Sequence, residues 1–375
     1  MNYKKVYSAW TLASGVIAGI FVITLLYVLN NHETQPVVTV ENNIYQSGTP
    51  QSTVSPTPTP TILLNTLPTS KTLPGGIQVF QTFNNCGPAA LSMALSHYKI
   101  SISQQELGLA LRPFQHPTGN NDDKSVTLTE LAKKGETYGF ITYHRPAGNM
   151  EKVQQFIAYD IPVIARTLLH LDDDIGHYRV IKGYDKVQQV IIQDDSLQGA
   201  NLAYSYEEFN KLWETFNFEY LVLVPHDMKE IAEAILADHL DEKIAWQDAL
   251  TNANTMLMNN PDNRYAEFNR SVALYELGRY EESVVSFEKV EQRLPFRTLW
   301  YQIKPILAYY KLGRYERVLA MVDQILNRYN RAYSELYYLR GLIYQKQGNE
   351  KTAQEQFTIA GQYNTTESYK ENIDM

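Results

Sequence analysis

The chain has 375 residues, 44% of them hydrophobic and 20% charged, with a formal net charge of −8 and a single cysteine. That length accommodates two ordinary domains with segments to spare. The acidic balance, without a basic patch or interleaved aromatic and basic residues, excludes nucleic acid as an expected partner, and one cysteine excludes an intramolecular disulfide.

Residues 6–31 carry no charged side chain, and the run from Ala9 to Leu29 is long enough to cross a bilayer. Lys4 and Lys5 precede it and Glu33 is the first acid after it, so residues 1–34 are expected to be a transmembrane anchor with a cytoplasmic N-terminus. A cleaved signal peptide is the rival reading; the long apolar stretch and the lack of a clear Ala-x-Ala site oppose it. Residues 35–75 read as a Thr/Ser/Pro-rich linker, including Thr53-Val54-Ser55-Pro56-Thr57-Pro58-Thr59-Pro60-Thr61. Such a composition stays hydrated and extended, reaching about 35 Å as a coil. Leu73-Pro74-Gly75-Gly76 closes it as a turn into the next domain. Everything after the linker is then expected outside the membrane.

Cys86 opens a helix in Asn85-Cys86-Gly87-Pro88-Ala89-Ala90-Leu91-Ser92-Met93-Ala94-Leu95. Proline suits a first turn, where its missing N–H costs nothing, and the residues that follow are good helix formers. Unpaired N–H groups and the helix dipole at such a start favour negative charge on sulfur. Among eight histidines, His177 sits in a β-rich run from Gly176 to Asp185, followed by a polar turn and a second β-rich run ending at Gln193-Asp194-Asp195-Ser196. A hairpin turn centred near Asp185–Lys186 sets His177 opposite Asp194, with a slip of one or two residues allowed and Asp195 as the alternative. The reading is Cys86 as nucleophile, His177 as base and acid, and Asp194 as orienter. Gln81 supplies an oxyanion donor alongside the Cys86 N–H, with Gln78 and Asn85 as alternatives. His170 is a rival base beside an acidic run, His97 is too far along the cysteine helix, and His116 and His144 lie in loop-like stretches.

The pattern Gln81…Asn85-Cys86-Gly87-Pro88, then Gly176-His177-Tyr178-Arg179-Val180-Ile181-Lys182-Gly183-Tyr184-Asp185, then Ile192-Gln193-Asp194 resembles papain-like cysteine peptidases of the bacteriocin-processing, double-glycine leader peptidase type in their stand-alone form. The resemblance covers about residues 76–225 and implies an α+β papain-like domain, set at 76–226, with an N-terminal cysteine helix and an antiparallel sheet. It also implies catalytic roles for Cys86, His177, Asp194 and Gln81. Three features depart from the pattern. Gln81 stands five residues before the cysteine where six is usual, Asp195 follows Asp194 where many relatives have proline, and no transporter follows.

Residues 227–375 read as all-helical. Leu277-Gly278-Arg279-Tyr280 recurs as Leu312-Gly313-Arg314-Tyr315 and again as Gln347-Gly348-Asn349-Glu350, with the glycines 35 residues apart. This period resembles tetratricopeptide repeats, and helices at 227–238 and 242–259 are expected to cap the stack. The middle unit departs, with Pro305 where a helical residue is expected and Val318 at a small-residue position.

The expected function is a membrane-anchored, extracytoplasmic cysteine peptidase whose repeats recruit a peptide or protein partner. The alternatives are a catalytically inactive peptide-binding adaptor and an acyl transferase using the same thiol. The sequence has no metal spacing, phosphate loop or dinucleotide fingerprint, so no cofactor is expected.

Overall fold

The computed structural model describes residues 64–114, 125–328 and 330–374. The anchor and most of the linker expected over residues 1–63 lie outside them. Among the described residues, no helix is long and apolar enough to cross a membrane.

Seven strands form one antiparallel sheet: β1 (Ser70–Thr72), β2 (Ile141–Arg145), β3 (Val163–Leu168), β4 (Gly176–Asp185), β5 (Val190–Asp195), β6 (Gly199–Ser205) and β7 (Tyr220–Val224). Their order is β2-β7-β3-β4-β5-β6, with β1 pairing against the far end of β4. The central strands β3 and β7 are buried along their whole length, and β4 nearly so, because both faces of the sheet are covered. Ile164, Val180, Leu221 and Leu223 point toward α1 (Cys86–His97), α2 (Gln104–Leu111) and α3 (Leu128–Glu136). Val163, Ala165, Ile181, Val222 and Val224 point the other way, toward α4 (Met150–Ala158) and α5 (Tyr206–Trp213). Period-two alternation thus divides one sheet between two cores.

Three sequence expectations change here. Ser70–Thr72 pairs with Gly183–Asp185 and the Leu73 N–H donates to the Lys182 carbonyl at 2.7 Å, so the folded unit begins before residue 76. Leu73-Pro74-Gly75-Gly76 therefore turns within the domain, Gly75 and Gly76 adopting φ of +74° and +81°. His144 belongs to β2, not to a loop. The helix Lys229–Leu236 buries Ala232, Ile235 and Leu236 in the sheet's core rather than capping the repeats.

The helix Glu242–Asn259 does open the helical region, placing Trp246, Ala249 and Leu250 in its core. Three helix pairs follow: Arg264–Glu276 with Tyr280–Val290, Lys304–Lys311 with Tyr315–Arg328, and Ser334–Lys346 with Glu350–Tyr363. Gly278, Gly313 and Gly348 end the first helix of each pair in left-handed backbone, φ +74°, +70° and +76°, a conformation glycine takes without steric cost. The middle pair is irregular. Its first helix has 8 residues where its counterparts have 13, because Pro305 belongs to a helix start. The residues before it instead make a short turn of helix, Thr298–Tyr301.

Candidate active site

Burial of α1 on every side, from Cys86 to Leu95, fixes Cys86. Ala89, Ala90, Leu91, Met93, Ala94 and Leu95 are fully enclosed, so the helix start cannot shift without opening the core. Asn85 precedes the helix without a side-chain cap, which leaves the N–H groups at Cys86 and Gly87 unspent on one. Cys86 itself is 8% exposed at the floor of a cleft.

His177 comes from the first turn of β4, opposite Thr167 of β3. Its Nε2 lies 3.0 Å from Asp195 Oδ1. An ionised carboxylate only accepts, so Nε2 carries the proton and Nδ1 is left for the thiol. Asp195 is fully buried, and its Oδ1 also accepts from the Leu197 and Gln198 N–H groups at 2.7 and 3.0 Å. Arg179 Nε stands 3.2 Å from Oδ2. Burial opposes charge on Asp195, but the bond to His177 and the charges of His177 and Arg179 prevail and hold its pKa down at about 2. Burial also opposes charge on His177; hydrogen bonds to Asp195 and Cys86 outweigh it and raise the imidazole above its ordinary value.

Asp194, expected to meet His177, does not; the neighbouring Asp195, the alternative, does. Asp185 pairs with Val190, and its carboxylate accepts from the Val187 and Gln188 N–H groups, which moves the turn beyond Asp185–Lys186. Asp194 consequently faces Val180, three positions from His177, whereas Asp195 faces Arg179. An odd displacement flips every side chain of a strand to the other face. Asp194 therefore points away, bonded to Lys182 Nζ at 2.7 Å and to the Asn201 N–H at 2.9 Å.

Gln81 lines the cleft beside Cys86. Ser196 Oγ donates to Gln81 Oε1 at 2.7 Å and the Gln81 N–H donates to the Ser196 carbonyl at 2.9 Å. With its oxygen so engaged, the amide has its N–H₂ left for a ligand. The alternatives are committed elsewhere: Gln78 Nε2 donates to the Asp195 carbonyl, and the Asn85 amide bonds Thr82 and Arg112. His97 packs at the other end of α1 against Gly76, and His170 is exposed. His116 lies outside the described residues.

The cleft encloses about 390 Å³, and its walls come from both parts of the chain. Thr82, Ser125, Ile175, Gly176 and Leu197 belong to the sheet domain; Arg297, Trp300 and Tyr301 come from the irregular start of the middle repeat. Tyr301 can stand beside His177 because residue 176 is glycine: a Cβ there would lie 3.2 Å from the Tyr301 ring. Sequence reading missed Ser196, Arg179 and this wall. The adjacent acids and serine of Asp194-Asp195-Ser196 were a visible signal for the first, but nothing local announced the third.

Residues 71–221 match the model of the Peptidase_C39 like family, and residues 334–358 match the Tetratricopeptide repeat. The chain thus carries a peptidase C39-like domain with an antiparallel sheet, followed by a helical, tetratricopeptide-like region. Among solved structures, a protein described as C39-like from Bacillus anthracis aligns with 14% identity and a TM-score of 0.36, covering 42% of this chain and 98% of that one. The peptidase domain of Streptococcus ComA, a bi-functional ABC transporter involved in a quorum-sensing pathway, aligns with 21% identity and a TM-score of 0.32 over 40% of this chain and 98% of that one. A double glycine motif protease from an AMS/PCAT transporter, solved in complex with a leader peptide, aligns with 16% identity and a TM-score of 0.31, covering 41% and 94%. Among curated protein sequences, none matches.

Proposed function

We propose that the protein is a cysteine peptidase that hydrolyses peptide bonds through a thioester at Cys86. The observation that carries this reading is His177, buried between the only cysteine and the Asp195 carboxylate, with its imidazolium favoured by both. In the proposed cycle, the Cys86 thiol gives its proton to His177 Nδ1 as its sulfur attacks the scissile carbonyl carbon, and the resulting oxyanion accepts from the Cys86 N–H and the Gln81 Nε2–H. The C–N bond breaks as His177 passes its Nδ1 proton to the departing amine. Water then attacks the thioester carbonyl, His177 takes the water proton, and the C–S bond breaks to release the acid and restore the thiol. Asp195 holds the ring and remains ionised throughout, consistent with its depressed pKa.

The uncharged run at 6–31 and the Pro-rich linker support placing this unit outside a membrane, tethered to it, with the repeats available for a protein partner. Iodoacetamide labelling tests the central claim. We expect Cys86 to label at about pH 6 faster than in unfolded protein, and His177→Ala to abolish that advantage. Equal rates in folded and unfolded protein would reject it in favour of a peptide-binding adaptor.

A further inference from the structure

A second hollow of about 670 Å³ adjoins the cleft. Tyr301 lines both; Arg297 and Trp300 before it face the cleft, and Gln302, Ile303 and Lys304 after it face the chamber. Ser125 lines the cleft, while Thr127 to Thr129 line the chamber. His177 lines the cleft, while Arg166, next to its strand partner Thr167, lines the chamber. Three chain segments thus contribute residues to both hollows, which share Tyr301 as a common wall.

At the junction Arg166 Nη2 donates to the Tyr301 carbonyl at 2.7 Å, and its guanidinium lies 4.8 Å from the Phe216 ring centre. The chamber is roofed by the first helices of the repeat pairs, through Glu276, Leu307 and Glu335, and none of its lining comes from the second helices. Its chemistry differs from that of the cleft. His144 Nε2 sits 3.1 Å from Glu219, Lys304 pairs with Glu276 at 2.9 Å, and Arg166 and Glu219 are 3% and 4% exposed. A volume of this size lies within the range of ligand sites, and a lining of both signs favours a hydrophilic occupant.

We propose that the chamber is a peptide-binding subsite continuous with the catalytic cleft: a substrate held at Cys86 extends past Tyr301 into it and places there a hydrophilic segment carrying charges of both signs. The proposal rests on the peptidase reading, but binding tests it separately from cleavage. The experiment uses the full-length chain with Cys86→Ala and a fluorescein-labelled peptide, Glu-Lys-Ser-Glu-Gly-Gly-Glu-Lys-Ser-Glu, read by anisotropy. Glycine at the centre adds no side chain, so differences report the flanks. Removing one flank is expected to weaken binding about tenfold, and removing the other to change little. Lys304→Ala should weaken the intact peptide to the same degree, leave the truncated one unchanged, and be rescued by Lys304→Arg. No binding, equal binding of all three peptides, or an equal loss for all three on Lys304→Ala would overturn it. Wild-type protein that binds the peptide through the chamber, yet has an inert thiol and cuts nothing, would overturn the peptidase reading alone.

Discussion

Two histidine–carboxylate pairs stand on either side of Tyr301: His177 with Asp195 at 3.0 Å in the cleft, and His144 with Glu219 at 3.1 Å in the chamber. The pairs are nearly equivalent in distance, and in each the carboxylate is held below its ordinary pKa despite burial, partly by the neighbouring histidine. What separates them is the third group. His177 has beside it the Cys86 thiol, delivered by a helix start packed against the sheet and helping to raise the imidazole pKa, whereas His144 Nδ1 meets Thr129 Oγ1 at 3.2 Å. A buried imidazole–carboxylate pair is therefore a structural commonplace that becomes chemistry only where a nucleophile is brought to it.

The sharpest way to break this comparison is to remove each imidazole in turn. His177→Ala should lower the rate of peptide-bond hydrolysis by about 10³-fold or more, and His144→Ala should leave iodoacetamide labelling of Cys86 within about twofold of wild type. A loss of Cys86 labelling with His144→Ala as large as that with His177→Ala would abolish the distinction. The two adjacent acids come next. Asp195→Asn should cost about 10²-fold in hydrolysis by misorienting the ring, while Asp194→Asn should spare the rate and instead lower stability by about 1–3 kcal/mol, since Lys182 loses a buried partner. Urea melts and initial rates on the same samples separate the two effects.

A packing test is smaller again. Gly341 touches Phe357 so closely that a Cβ would lie 2.4 Å from the ring, so Gly341→Ala should destabilise by about 1–3 kcal/mol in a urea melt without changing the labelling rate. The gentlest test is pH. Asp195 is depressed, so its stabilisation is complete above about pH 4 and fades as the pH falls through about 2. His177 is raised, so its contribution is complete below about pH 6.5 and fades as the pH rises through its folded value. Asp195→Asn should flatten both limbs of the stability profile measured by thermal melts.

Much of this was legible in the chain. Cys86 before Gly87-Pro88 marks a helix start by local propensity alone, and the 35-residue spacing of Gly278, Gly313 and Gly348 gives the helix pairs because each glycine meets the same left-handed requirement. His177 followed from its β-rich run. Asp195 did not, because a hairpin's register depends on how the turn closes, and Asp185 closes it by bonding its own turn. His144 looked like a loop residue because β2 is short and only half-buried, its strand character coming from pairing with β7.

Local order in the chain suffices for the groups that act locally: a thiol at a helix N-terminus, an imidazole in a strand, a repeat period and the proline that interrupts it. Long-range packing is what selects the carboxylate that meets His177, seats the helix Lys229–Leu236 against the sheet, and brings residues 297–304 to wall the cleft and chamber. Short-range preferences are written residue by residue, whereas strand register and domain docking are set by how distant surfaces bury each other.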